Sequence, residues 1–271
     1  VSREAIVTGG DEFYVGYLPM PAGQRAFLRR AVPAVLWLGC AAVFAWAWTQ
    51  HSPGEGTWEQ ARTETFRGVV VATPYPVLVA DDAGDGRPGT LLLVETGKRG
   101  GDAGGRRASA FDGQRAAVTG WVLRRDGLGM LEMVPGPEGI IAENAGGGGG
   151  GESVRPPAMV DRGAVALRGE IVDSKCYLGA MKPGDGKTHK ACATLCVRGG
   201  IPPVLVVSVP GGGRAEGGAR RLCYLLVDAD GGPLDPAVHP LIADPVEVRG
   251  RLAEWNGLLL IRAAARDVRR L

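Results

Sequence analysis

The sequence predicts a mainly β protein in which an N-terminal transmembrane helix precedes two small antiparallel barrel repeats, the second carrying a short helical Cys/His insertion. Three observations carry this. One apolar, uncharged run lies near the start; three strand-like blocks recur in the same order; and one segment is present in the second set of blocks but not in the first. With 44 Gly and 19 Pro in 271 residues, loops and linkers must be extensive, yet 45% hydrophobic against 22% charged residues is enough to build packed cores. A formal net charge of +2 is too small to point to a nucleic-acid partner.

Residues 31–49, AVPAVLWLGCAAVFAWAWT, contain no charge. At about 1.5 Å per residue they cover close to the roughly 30 Å hydrocarbon core of a bilayer. The run is apolar all round rather than striped, so a buried core helix is the poorer reading. Arg29-Arg30 before it and Trp46 and Trp48 within its end predict a single-pass anchor with its N-terminus in the cytoplasm. A cleaved signal peptide fits less well, because about 30 residues precede the run and no small-residue cleavage site follows. Residues 1–30 form a cytoplasmic tail with Phe13, Tyr14, Tyr17 and Phe27 among prolines, read either as a plain tail or as a docking peptide for a membrane-protein partner. Everything after the anchor is expected in the periplasm, at the inner (cytoplasmic) membrane of a bacterium; the abundance of Ala, Gly, Arg and Pro suits a GC-rich bacterial genome.

FRGVVV at 66–71 matches LRGEIV at 167–172, LLLVE at 91–95 matches YLLVD at 224–228, and AVTGWVLRRDGLGMLEM at 117–133 matches EVRGRLAEWNGLLLIRA at 247–263. Each block is short, apolar or alternating, and bounded by turn residues, as strands are. Asp126-Gly127 and Asn256-Gly257 stand between apolar runs and mark tight hairpins, whose central residues need positive φ. These features predict two five-stranded barrels resembling the OB-fold, at 60–143 and 163–271, joined by a linker at 144–162 that contains six consecutive glycines. Gly68 and Val94 stand 26 positions apart whereas Gly169 and Val227 stand 58 apart, so the second copy holds an insertion.

That insertion concentrates chemistry. Cys176, His189, Cys192 and Cys196 lie within it, as do four of the five lysines of a chain that otherwise uses arginine: Lys175, Lys182, Lys187 and Lys190, the fifth being Lys98. His189, Cys192 and Cys196 are spaced i, i+3, i+7 and would share one face of a short helix, capped by Thr188 and ended by Gly199-Gly200. The Pro/Gly loop at 183–186 would bring Cys176 back to that face, assembling the donors of a Cys₃His metal site. Thiolates favour zinc or copper; haem is less suited, for the C-x-x-C-H attachment pattern is missing. Two other readings stay open. Cys176, Cys192, Cys196 and Cys223 could form two structural disulfides outside the cytoplasm, leaving a scaffold or partner-binding protein without a cofactor. Cys192 and Cys196 could also be a thiol oxidoreductase pair, although the C-x-x-C spacing is absent. Cys223, beside Tyr224 in a strand, also fits a buried, inert position. Asp173 and Glu170 read as solvent-facing strand residues, with orientation of a ligand as the alternative. His239 falls in a proline-flanked turn. No paired-carboxylate site, G-x-S-x-G elbow or H-E-x-x-H helix occurs, which favours an accessory role over catalysis.

The segments GEIVD-SKCY and HKACATLCVRGGIPP resemble a signature, roughly G-E-[IV]-V-D-x-x-C-Y followed by H-x-x-C-A-x-x-C-x-x-G-[IG]-P, of small, largely uncharacterised bacterial extracytoplasmic proteins, some with a membrane anchor. The resemblance implies that Cys176, His189, Cys192 and Cys196 are the defining residues, with Gly199, Gly200 and Pro202 shaping the exit; it implies no activity. The expectation is a membrane-anchored periplasmic accessory subunit with a Cys/His metal or redox-cofactor site, working in a membrane redox assembly, with the first barrel as spacer or docking module.

Overall fold

In the computed structural model the described residues are 19–49, 56–84, 86, 89–101, 107–143, 158–209 and 220–271. Phe13, Tyr14 and Tyr17 of the tail and the glycine run of the linker lie outside them. The chain divides into two compact units, residues 1–52 and 53–271. In the first, helix α1 (Ala22–Thr49) contains the whole apolar run and starts nine residues before it; by length and composition it can cross a membrane.

The second unit is built of β strands. The first barrel comprises β1 (Thr57–Trp58), β2 (Glu64–Val71), β3 (Val77–Ala80), β4 (Gly89–Val94), β5 (Arg115–Arg125), β6 (Leu128–Met133) and β7 (Ile140–Ala142). β2, β3, β4, β6 and β5 pair in that order and β5 returns to β2, closing five strands. β4 and β6 run parallel while the other neighbours are antiparallel. The second barrel has β8 (Val160–Asp173), β9 (Pro203–Val209), β10 (Arg220–Val227), β11 (Pro245–Trp255), β12 (Leu258–Arg262) and β13 (Val268–Arg270). Its closed order is β8, β9, β10, β12, β11, again with one parallel pair, β10 with β12. Two closed five-stranded barrels of this pairing scheme are OB-like, and closure removes the exposed edges that open sheets must protect.

Local sequence accounts for the shared geometry. Both hairpins predicted from Asp-Gly and Asn-Gly form, with φ of 50° and 79° at Asp126-Gly127 and 45° and 82° at Asn256-Gly257. Gly68 and Gly169 occupy equivalent places where strands cross closely: a Cβ there would collide with the carbonyl of Val79 or Val206, respectively. Each barrel encloses its own apolar cluster, for instance Val70, Leu78 and Leu131 in the first and Leu205, Leu226 and Val246 in the second. A third cluster runs through both barrels, joining Val77, Leu92 and Leu123 to Tyr177, Val204 and Leu260. The two barrels are therefore packed together through a common core.

The difference between the barrels is the connection after their first long strand. β2 passes to β3 through residues 72–76, whereas β8 passes to β9 through 174–202. This longer connection holds a π-helical turn (Cys176–Ala180), a 3₁₀ turn (Lys187–His189) and helix α2 (Lys190–Arg198).

Candidate metal centre between the barrels

The connection is pinned at its base. The Ser174 hydroxyl and backbone N–H both donate to the Pro202 carbonyl, at 2.7 and 3.1 Å, so the segment leaves and rejoins the barrel at one point. Asp173, fully buried, then turns the chain: its Oδ1 accepts the Cys176 N–H at 2.8 Å. Its Oδ2 lies 3.1 Å from His189 Nε2. The expectation that Asp173 faces solvent is wrong, because the strand ends there and the π turn folds over it. Glu170, half-buried, accepts the Gly186 N–H at 2.6 Å and holds the return loop.

Helix α2 starts one residue later than expected. Thr188 does not cap it; it sits within the 3₁₀ turn, and His189 takes the N-cap position without a side-chain capping bond. The end is as read from sequence. The N–H groups of Gly199, Gly200 and Ile201 bond back to the carbonyls of Leu195, Val197 and Cys196, with Gly200 at φ 91°.

These elements bring the Sγ atoms of Cys176, Cys192 and Cys196 within 4.8 Å of one another. A second group with the same spacing joins Asp173, Cys176 and His189, so Cys176 is common to both. Either group could hold a metal ion. Metal–thiolate bonds of about 2.3 Å place sulphurs on one ion roughly 4 Å apart, which the first group matches. The imidazole is engaged by Asp173, and its nitrogen does not join the three sulphurs as one four-donor group. All five cysteines, Cys40 and Cys223 included, are free, so the two structural disulfides allowed by the sequence are not formed. Cys223 is buried in β10, and burial pushes its thiol up to about 12.

The electrostatics around the sulphurs are uneven. The hydrogen bond from Cys176, followed by the influence of Lys98, brings the Cys196 thiol down to about 7 despite burial. Cys176 is raised by that same bond and by desolvation, so it keeps its proton as donor. His189 is raised by its bond to Asp173, which favours the imidazolium form.

Sequence reasoning missed the residue that completes this environment. Lys98, in the loop after β4 of the first barrel, places its ammonium 2.7 Å from Cys192 Sγ and 3.6 Å from Cys196 Sγ. The loop carrying it is held by Lys175, 4% exposed, which donates to the carbonyls of Glu95 at 3.0 Å and Gly97 at 2.7 Å and pairs with Glu132 at 3.0 Å. Beyond Lys98, the Gly100 N–H donates to the Gly199 carbonyl at 2.9 Å. Tyr177 secures the other side. Its hydroxyl donates to Asp126 at 2.7 Å, and the Arg125 guanidinium lies 4.1 Å over its ring while bonding its carbonyl. The residues either side of Cys176 thus both grip the first barrel. Lysine scarcity was the available signal, since the one lysine outside the insertion also meets its cysteines.

Compared with known proteins, the chain matches no protein family, no curated protein and no solved structure.

Proposed function

We propose that this chain is a membrane-anchored metal-binding protein whose thiolate centre serves as an accessory site in a membrane redox assembly. The observation that carries the reading is the convergence of three unoxidised cysteine sulphurs within 4.8 Å, two from one helix and one from the preceding turn. Such a sulphur-rich donor set suits copper(I) or zinc and is poor for hard cations. Bound there, the ion would supply either a fixed structural link or, for copper, a one-electron couple. Cys176, Cys192 and Cys196 would hold it, while Asp173 fixes the orientation of His189 beside them.

The anchor would be α1, with Arg29-Arg30 on the cytoplasmic side, Trp46 and Trp48 at the far interface, and both barrels in the periplasm of a bacterial inner membrane. The aromatic tail would dock a membrane-protein partner. Identical strand order and equivalently placed glycines support reading the barrels as two copies of one domain. One further reading has an observation in its favour: free cysteine sulphurs within 4.8 Å of one another are also placed as an oxidisable dithiol.

The test is elemental analysis and thiol counting on the full chain, solubilised in detergent and prepared without a polyhistidine tag. About one equivalent of zinc or copper is expected, lost in Cys192→Ser while the barrels stay folded. A metal-free protein with its cysteines paired refutes the metal reading, and disulfide-exchange activity abolished by Cys196→Ser establishes the dithiol instead.

A further inference from the structure

We infer that Lys98 is a positioning residue of the sulphur cluster, so that the first barrel completes the metal centre and sets its affinity rather than acting only as a spacer. The inference rests on the metal-thiolate reading above and adds to it the residue that offsets its charge. Three thiolates around a monovalent or divalent thiophilic ion leave a negative centre, and such a centre is costly where solvent is partly excluded. Cys176 and Cys196 are buried and Cys192 is half-buried. Among the described residues, the basic side chain that bonds these sulphurs is Lys98, with Cys192 at 2.7 Å and Cys196 at 3.6 Å. The other cations nearby are committed elsewhere: Lys175 to Glu132 and two carbonyls, Lys190 to Asp244 and the Pro240 carbonyl, Arg125 to Tyr177. The His189 ring nitrogen is engaged by Asp173 rather than by the sulphurs.

The placement of Lys98 is built in rather than adventitious. Its side chain is exposed and would roam if the backbone did not fix it, yet the backbone is fixed on both flanks. Lys175 binds the carbonyls at 95 and 97, the Glu95 N–H donates to the Arg99 carbonyl at 3.0 Å, and Gly100 is bonded to Gly199. Gly199 has no room for a side chain because the Lys98 carbonyl lies against it, and a Cβ on Gly100 would collide with the Gly200 carbonyl. The loop is therefore seated on the C-terminal end of the helix that presents Cys192 and Cys196. Since the ammonium comes from one barrel and the sulphurs from the other, metal loading and barrel docking favour each other by linkage.

The experiment is a competition titration of the reduced full-length protein with Cu(I) against a chromophoric Cu(I) chelator, at fixed pH. Wild type is compared with Lys98→Met, Lys98→Gln and Lys98→Arg, and the urea midpoint of each metal-free protein is measured alongside. Removal of a group that supports metal ligands from outside costs about 10–100-fold in affinity, and exposure of Lys98 places the expectation at about tenfold for the Met and Gln variants. The midpoints should stay unchanged, and Lys98→Arg should restore most of the affinity. Wild-type affinity in both neutral variants overturns the inference while leaving the metal site standing. A loss that appears only together with a lowered midpoint also overturns it, by making Lys98 structural. Wild type that takes up no Cu(I) overturns the metal reading itself.

Discussion

Replacing Lys175 by methionine tests whether buried charge holds the seam between the barrels. Methionine keeps much of the volume but removes the ammonium that meets Glu132 Oε1 and the carbonyls of Glu95 and Gly97. Glu132 is 4% exposed, and its Oε2 already has no hydrogen-bond partner among the described residues. Truncating one member of such a pair leaves a buried charge uncompensated, which costs about 3–5 kcal/mol. Gly97 is exposed and its carbonyl can be hydrated in place, so the lower end, about 3 kcal/mol, is expected. Against a typical total stability of about 5–15 kcal/mol this is a large fraction. The assay is urea unfolding of the metal-free protein followed by tryptophan fluorescence, with linear extrapolation to water. The double variant Lys175→Met, Glu132→Gln removes the stranded charge and should recover about 1 kcal/mol or more of the loss. A loss below about 1 kcal/mol, the range of an exposed ion pair, would refute the reasoning, as would a double variant no better than the single.

Other expectations follow from the same seam and its surroundings. Gly100→Ala should cost about 1–3 kcal/mol in urea unfolding by forcing the loop from Gly200, although no cysteine is touched. Tyr177→Phe should lose about 1 kcal/mol with its bond to Asp126 but keep the ring under Arg125; Tyr177→Leu, which loses both, should be less stable by a further ~1 kcal/mol. The Asp244 carboxyl is held below the usual carboxylate range by its bond to Lys190 and the nearby charges of Lys190 and Arg270. Because the folded value lies below the unfolded one, about 3.9, its stabilisation is present above that pH and is lost as pH falls through the folded value. Asp244→Asn should therefore unfold earlier than wild type at pH 7, and the gap should narrow on acidification when both are compared by urea midpoint.

The strands and hairpins were legible because each rests on a short-range rule. Asp126-Gly127 and Asn256-Gly257 demand one turn type, and the glycines ending α2 satisfy its last carbonyls from within six residues. The site was legible only where its residues are close in sequence. Cys192 and Cys196 share helix α2, so periodicity placed them on it, while His189 falls in the turn before it and meets Asp173. Asp173 was misread because strand alternation carries no information about a chain that turns inward at its last strand residue. Thr188 was misread because a 3₁₀ turn moved the start of α2 past it. Lys98 stands 94 positions from Cys192, in the other barrel, and no local pattern reaches that far; its position depends on how two finished barrels dock.

The seam also bears on where the molecule can be divided. Composition draws a boundary at Gly146 to Gly151. Energetically the division falls elsewhere, since Tyr177 is wholly buried beneath Arg125 and the Leu234 N–H donates at 2.8 Å to the hydroxyl of Tyr75 across the same joint. Either half expressed alone would uncover that shared interior and strand Lys175 or Glu132 without its counterion. Unfolding should accordingly be one cooperative event for residues 53–271, and neither barrel is an interchangeable module: a graft or truncation at the glycines separates two halves of a single folding unit.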